Sequence, residues 1–168
     1  AEVLVYRDGT EDDKLVATLK NNVEVGGEMT WTDNTATQGV HVYYIVPCRV
    51  SGEKGVENTW RAFSGRDVPG YAENVTLTKN SNKSLTLAWE QPSVGKNDGW
   101  FDKANVKYDV KRMPDKKVVA TGISTTTLTD NDLGGMNSYY YTIRAYTADG
   151  GDLEAESPSV MAGNAYDT

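Results

Sequence analysis

The chain has 168 residues, of which 38% are hydrophobic and 24% charged, with a mean hydropathy of −0.56. That balance is too apolar for a disordered chain and too polar for a membrane-embedded one, and no run approaches the roughly 18 apolar residues a spanning helix needs. Asp and Glu number 24 against 17 Lys and Arg, a net charge of −7, which argues against nucleic acid or an anionic lipid surface as partner. One His and one Cys leave little room for nucleophilic catalysis or for a zinc site.

Short runs that alternate apolar and polar residues recur from the start. The first covers Val3 and Val5. A second covers Val42, Tyr44, Val46, Cys48 and Val50, and Trp60 and Phe63 mark a further strand. Period-two alternation rich in Val, Tyr, Thr and Trp is the pattern of half-buried strands. The join Asp67-Val-Pro-Gly-Tyr71 follows, where Pro69 cannot donate to a ladder and Gly70 relaxes the backbone. Beyond it, strands are predicted over 74–78, 84–89, 105–112, 117–121, 125–129, 138–147 and 155–162. Turn dipeptides such as Asp8-Gly9, Gly26-Gly27, Asp98-Gly99 and Gly134-Gly135 punctuate the runs. No stretch carries a 3.6-residue period. The predicted class is all-β and antiparallel, with sandwich architecture.

An internal repeat organises these runs. Val5-Tyr-Arg7 matches Val110-Lys-Arg112, and Leu15-Val-Ala-Thr18 matches Val118-Val-Ala-Thr121. Thr30-Trp-Thr-Asp33 matches Thr127-Leu-Thr-Asp130, and Val42-Tyr-Tyr44 matches Tyr139-Tyr-Tyr141. The same four phrases occur in the same order. Two modules are therefore expected, over residues 1–69 and 70–168. The first lacks the two strands that open the second.

The second copy resembles fibronectin type III domains. The marks are Leu85-Thr-Leu-Ala-Trp89 followed by Pro92, the strand Tyr108-Asp-Val-Lys-Arg112, and Tyr141-Thr-Ile-Arg-Ala-Tyr146 running into Asp149-Gly-Gly151 and Glu156-Ser157. The likeness covers residues 72–163 as a whole module and residues 2–69 from the third strand onward. The phrases Tyr6-Arg-Asp-Gly9 and Thr30-Trp-Thr-Asp33, with the insertion Gly99–Asn105, are similar to modules in cell-surface and secreted proteins of Bacteroidetes, including gingipain-type adhesin regions. That resemblance implies two immunoglobulin-like sandwiches in tandem, extracellular or on a bacterial cell surface. It also implies neighbouring domains of a longer protein as partners and a role in adhesion.

The missing strands pose a physical problem. An aromatic lost with them would have buried roughly 150–250 Å², worth about 4–6 kcal/mol. A second copy of the chain, or a separate piece of a longer protein, is expected to cover Val3, Val5, Val46 and Val50.

No constellation points to catalysis. His41 is placed on the outward side of its strand, and no Gly-x-Ser-x-Gly elbow accompanies it. The acidic knot of Asp8 and Glu11–Asp13 lacks the spacing of an EF-hand. Asp130-Asn-Asp132 and the turn of Asp149, Asp152 and Glu154 read as solvated turns, with a weak calcium site as the alternative. Cys48 reads as a small buried apolar residue. The N-terminal Ala1–Val5 shows no signal-peptide pattern. No catalytic residue, cofactor or metal is expected. Trp100 and Phe101, in a polar loop, are the candidate binding residues, for a glycan or a host protein. Folding back onto the sandwich edge is the plainer alternative for them.

Overall fold

A computed structural model describes residues 1–20 and 22–164. The chain divides into two compact units between Gly65 and Arg66, four residues ahead of the boundary expected from the sequence. All strand pairings within the named sheets are antiparallel, and among the described residues no helix is long and apolar enough to cross a membrane.

The first unit contributes β1 (Glu2–Arg7), β2 (Leu15–Lys20), β3 (Gly39–Cys48) and β4 (Asn58–Ser64). They form one sheet in the order β2-β1-β3-β4.

The second unit contributes β5 (Glu73–Ser81), β6 (Ser84–Glu90), β7 (Lys107–Met113), β8 (Lys117–Ile123) and β9 (Thr127–Asp130). After them come β10 (Asn137–Tyr146), β11 (Glu154–Glu156) and β12 (Val160–Ala162). One sheet runs β5-β6-β9. The other runs β11-β10-β7-β8, with β12 also on β10. The final predicted strand is thus two short strands. Between them the Ser157 hydroxyl accepts the Tyr141 N–H at 2.9 Å, and Pro158 brings no N–H of its own.

The core of this unit follows from the pleat. Every second residue of β6, β7 and β10 faces inward, so Leu85, Leu87 and Trp89 meet Tyr108, Val110 and Ile143 between the two sheets. The rings of Trp89 and Tyr108 pack edge to face with centroids 5.3 Å apart, the geometry their quadrupoles favour.

One sheet has the same plan in each unit. Val5 pairs with Ile45 and Arg7 with Tyr43; Val110 pairs with Ile143 and Arg112 with Tyr141. Tyr43, not Tyr44, therefore corresponds to Tyr141, and the phrase match Val42–Tyr44 with Tyr139–Tyr141 is out by one residue. A one-residue slip exchanges the faces of a strand. Val3 and Val5 consequently lie on one face with Tyr43 and Ile45. Tyr44, Val46 and Cys48 lie on the other, with Leu4 and Tyr6.

The surface expected to bind a second copy through Val3, Val5, Val46 and Val50 is for that reason not a single surface. Val46 and Val5 are already buried within the chain, and Val50 is open to solvent. Behind Val46, Lys54 donates to the Tyr6 hydroxyl at 3.1 Å and sits over the Tyr6 ring, so the loop after β3 folds back over that face. Cys48, expected to be buried, is half-buried and free.

The same three-residue bolt recurs in both units. In the second, Asp130 accepts the Tyr141 hydroxyl at 2.7 Å and Arg112 Nη1 at 3.0 Å. In the first, Asp33 accepts Tyr43 at 2.5 Å and Arg7 at 2.7 Å. The hydroxyl of Tyr141 thus meets a carboxylate and not a backbone group. Burial and the bond to Asp33 push the Tyr43 phenol up to about 12. Burial also pushes the carboxyl of Asp33 up, but Tyr43, Thr35 and Arg7 donate to it and hold it far below the usual range.

The difference between the units is a missing layer. In the second, β9 pairs only with β6, from Leu85↔Asp130 to Ala88↔Thr127. In the first, the matching residues Thr30–Asp33 join no sheet, and among the described residues of that unit no strand corresponds to β6.

Removing a hydroxyl from the more enclosed bolt should cost more. Tyr141→Phe is expected to destabilise its unit by about 1–3 kcal/mol in urea unfolding. Arg112→Ala, which strands a buried carboxylate, should cost about 3–5 kcal/mol. Tyr43→Phe should fall below Tyr141→Phe, since Tyr43 is only half-buried.

Candidate functional site

The loop between β6 and β7 is organised around the carboxylate of Asp67. The side chain is buried and accepts four donors. They are the backbone N–H groups of Val68 (2.8 Å), Asn97 (2.8 Å) and Gly99 (2.9 Å), and Asn97 Nδ2 (3.0 Å). Burial pushes the acid up, but the donated N–H groups outweigh it and hold the carboxyl below its ordinary value. Gly95 is required here. A Cβ on it would lie 2.4 Å from Asp67 Oδ2 and 2.6 Å from the Gly99 carbonyl.

Asp67 also donates its backbone N–H to the Trp100 carbonyl at 2.6 Å. Arg66 pairs as an isolated bridge with Trp100, and Pro69 with Gly95. The segment read as a join is therefore part of the second unit and clamps its loop.

Trp100 and Phe101 part company at this clamp. Successive residues of extended backbone point to opposite sides. Trp100 is 59% exposed, whereas Phe101 is 1% exposed and belongs to the core. The exposed pair expected from the sequence is thus a single exposed indole. The guanidinium of Arg66 lies over that indole, 4.9 Å from its centroid. It is held there by Asp149 at 2.7 Å, with Asp102 at 3.8 Å. An aromatic face flanked by an oriented cation can stack on a flat or weakly polar group.

His41 is not outward-facing: it is 7% exposed. Its Nδ1 lies 2.7 Å from Asp8 Oδ2 and its Nε2 lies 2.6 Å from the Thr37 carbonyl. Both partners are acceptors, so the geometry favours donation from both ring nitrogens, the imidazolium form, and these bonds raise the ring above its ordinary value. A ring in that state has no lone pair for a nucleophile, and the Thr37 hydroxyl, at 3.5 Å from Nε2, is not activated. Asp8 reaches this position in a left-handed backbone conformation, with φ of 65°. Its Oδ1 accepts the Val42 N–H at 3.0 Å.

The acidic turns are spent on local cations. Asp149 pairs with Arg66, Asp152 with Lys96 and Asp132 with Lys117. Among the described residues no three His, Cys, Asp or Glu side chains converge as a metal site would need.

Arg66 and Asp67 escaped the sequence reading because no motif marks them. The only hint was their place beside the Pro69–Gly70 break.

No family model matches the chain, and no curated protein matches it. Among solved structures it is similar to domains d3–d4 of the rat CD45 extracellular region. The identity is 14% and the TM-score 0.47, over 90% of this chain and 76% of that one. It is also similar to a structure of titin domains, at 15% identity and TM-score 0.48 over 96% of this chain. The FN1–FN3 domains of chicken CNTN1 match at 12% identity and TM-score 0.46 over 97% of this chain. The chain spans 54% and 56% of the titin and CNTN1 structures. The all-β sandwich character rests on the second unit's own two antiparallel sheets and the core between them.

Two outcomes test this geometry. Asp67→Ala leaves buried N–H groups without an acceptor and should cost about 1.5–3 kcal/mol in urea unfolding. The His41–Asp8 pair predicts a pH dependence. Bonds to Asp8 and Thr37 raise His41 above its ordinary 6.5. Its contribution is complete below 6.5 and is lost as pH rises through the higher folded value. Asp8 lies below its ordinary 3.8, chiefly through its bond to His41. Its contribution is present above 3.8 and lost as pH falls through the lower folded value. Wild type should therefore lose stability in urea as pH rises above 6.5, and His41→Gln should flatten the profile there.

Proposed function

We propose that the chain is a non-catalytic pair of fibronectin type III-like modules, the first without its two opening strands, that spaces or presents neighbouring domains of a surface or secreted bacterial protein. The observation that carries this reading is where the reactive groups go. The sole His donates through both nitrogens. The buried acids Asp33, Asp67 and Asp130 are bound by Tyr, Arg and backbone N–H donors. Polar chemistry inside the units is spent on holding loops and sheets together. The extracellular and adhesive setting is supported by the phrases around Asp8 and Thr30.

A second reading rests on Trp100 alone. Its exposed indole, backed by Arg66, would stack on a sugar ring or a partner's side chain.

Displaying the chain between a cell-surface anchor and an antibody epitope discriminates the two. A spacer should raise epitope accessibility equally in wild type and Trp100→Ala, with no saturable signal on arrays of glycans and extracellular matrix proteins. Saturable binding lost in Trp100→Ala would establish the second reading, and turnover of any ester, glycoside or peptide probe would overturn both.

A further inference from the structure

The first unit presents a sheet face that is closed at Val5 but open at Ile45 and Trp60, and the cover such a face takes is spelled out by the second. Register equates Val3, Val5, Tyr43 and Ile45 with Tyr108, Val110, Tyr141 and Ile143. In the second unit those residues are sealed beneath β5 and β6, and Ile143 is 0% exposed. In the first, Ile45 is 38% exposed and Trp60 69%. Around them lies a cavity of about 1100 Å³, lined by Val3, Val5, Trp31, Tyr43, Ile45 and Trp60 among others.

A row of backbone groups is also open at one edge. Thr30–Asp33 lies against the face, with Trp31 packed edge to face on Tyr43 at 6.5 Å, yet it joins no sheet. Its counterpart Thr127–Asp130 ladders with Ala88–Leu85.

We propose that this face is a docking site for a β-hairpin of the β5–β6 kind. The occupant is two antiparallel strands with apolar residues at every second position, supplied by a partner segment. Its second strand would ladder with Thr30–Asp33. Its inward side chains would fill the cavity, taking the places of Leu85, Leu87 and Trp89. An indole at the Trp89 position would lie over Val3. Val3 is smaller than the Tyr108 it replaces, so the site has room for a large ring. The Arg7–Asp33–Tyr43 bolt holds the receiving segment in place before the hairpin arrives. This inference concerns the first unit and is independent of any role of Trp100.

The test uses the full chain, isotope-labelled, with a synthetic peptide of the sequence of residues 72–91. Binding should be saturable and should shift the methyl signals of Val3, Val5 and Ile45. The amides of Thr30–Asp33 should gain at least about tenfold protection from hydrogen exchange. A peptide with Ser at the positions of Leu85, Leu87 and Trp89 should bind at least about tenfold more weakly, as should wild-type peptide to the Ile45→Asp chain. Three results would overturn the proposal. One is no saturable binding. Another is protection confined to residues of the second unit, which would mean strand exchange there. The third is concentration-dependent protection of Thr30–Asp33 without peptide, which would make a second copy the occupant.

Discussion

The Arg–Asp–Tyr bolt is the contact on which both units depend. A buried carboxylate is costly unless its oxygens are bound and its charge is met. In the second unit Asp130 lies on β9 while Arg112 and Tyr141 lie on β7 and β10. The bolt therefore ties one sheet of the sandwich to the other through groups that tolerate little displacement. Around it Arg112 also binds Asp115 at 2.6 Å and the Asp132 carbonyl at 2.8 Å. Its guanidinium lies over Tyr139, 5.3 Å from the ring centre. One guanidinium thus gathers a strand, a hairpin turn and an aromatic.

The first unit shows what the bolt does when the ladder beside it is absent. Asp33 still meets Arg7 and Tyr43, and Trp31 still packs on Tyr43. Residues 30–33 are held over the sheet by side chains, although their backbone pairs with no strand. A second correspondence supports this. His41 occupies the position of Tyr139, and each bonds the carbonyl four residues earlier, Thr37 or Gly135, at 2.6 Å. The side-chain frame of the module persists in both copies, and the hydrophobic layer is what differs.

The Trp100 loop obeys the same economy. Asp67 does for the loop what Asp33 and Asp130 do for the sheets, by accepting donors from Val68, Asn97 and Gly99. It leaves one aromatic outside and sends its neighbour into the core. The exposure of the Trp100 indole is thus a consequence of polar anchoring, whereas the open face of the first unit follows from the layer it lacks.

The alternation of Leu85, Leu87 and Trp89 and the runs like it determined the all-β class and most strand positions, because pleat periodicity and turn residues are local properties. The repeat even contained the bolt, since Arg7, Asp33, Arg112 and Asp130 all lie in the matched phrases. Only tertiary structure decided that Tyr43 rather than Tyr44 completes it, because register depends on which strands pair and a shift of one residue reverses every face. The burial of Phe101 and His41, and the place of Asp67 beneath a distant loop, were likewise set by partners far away in the chain, which no local pattern encodes.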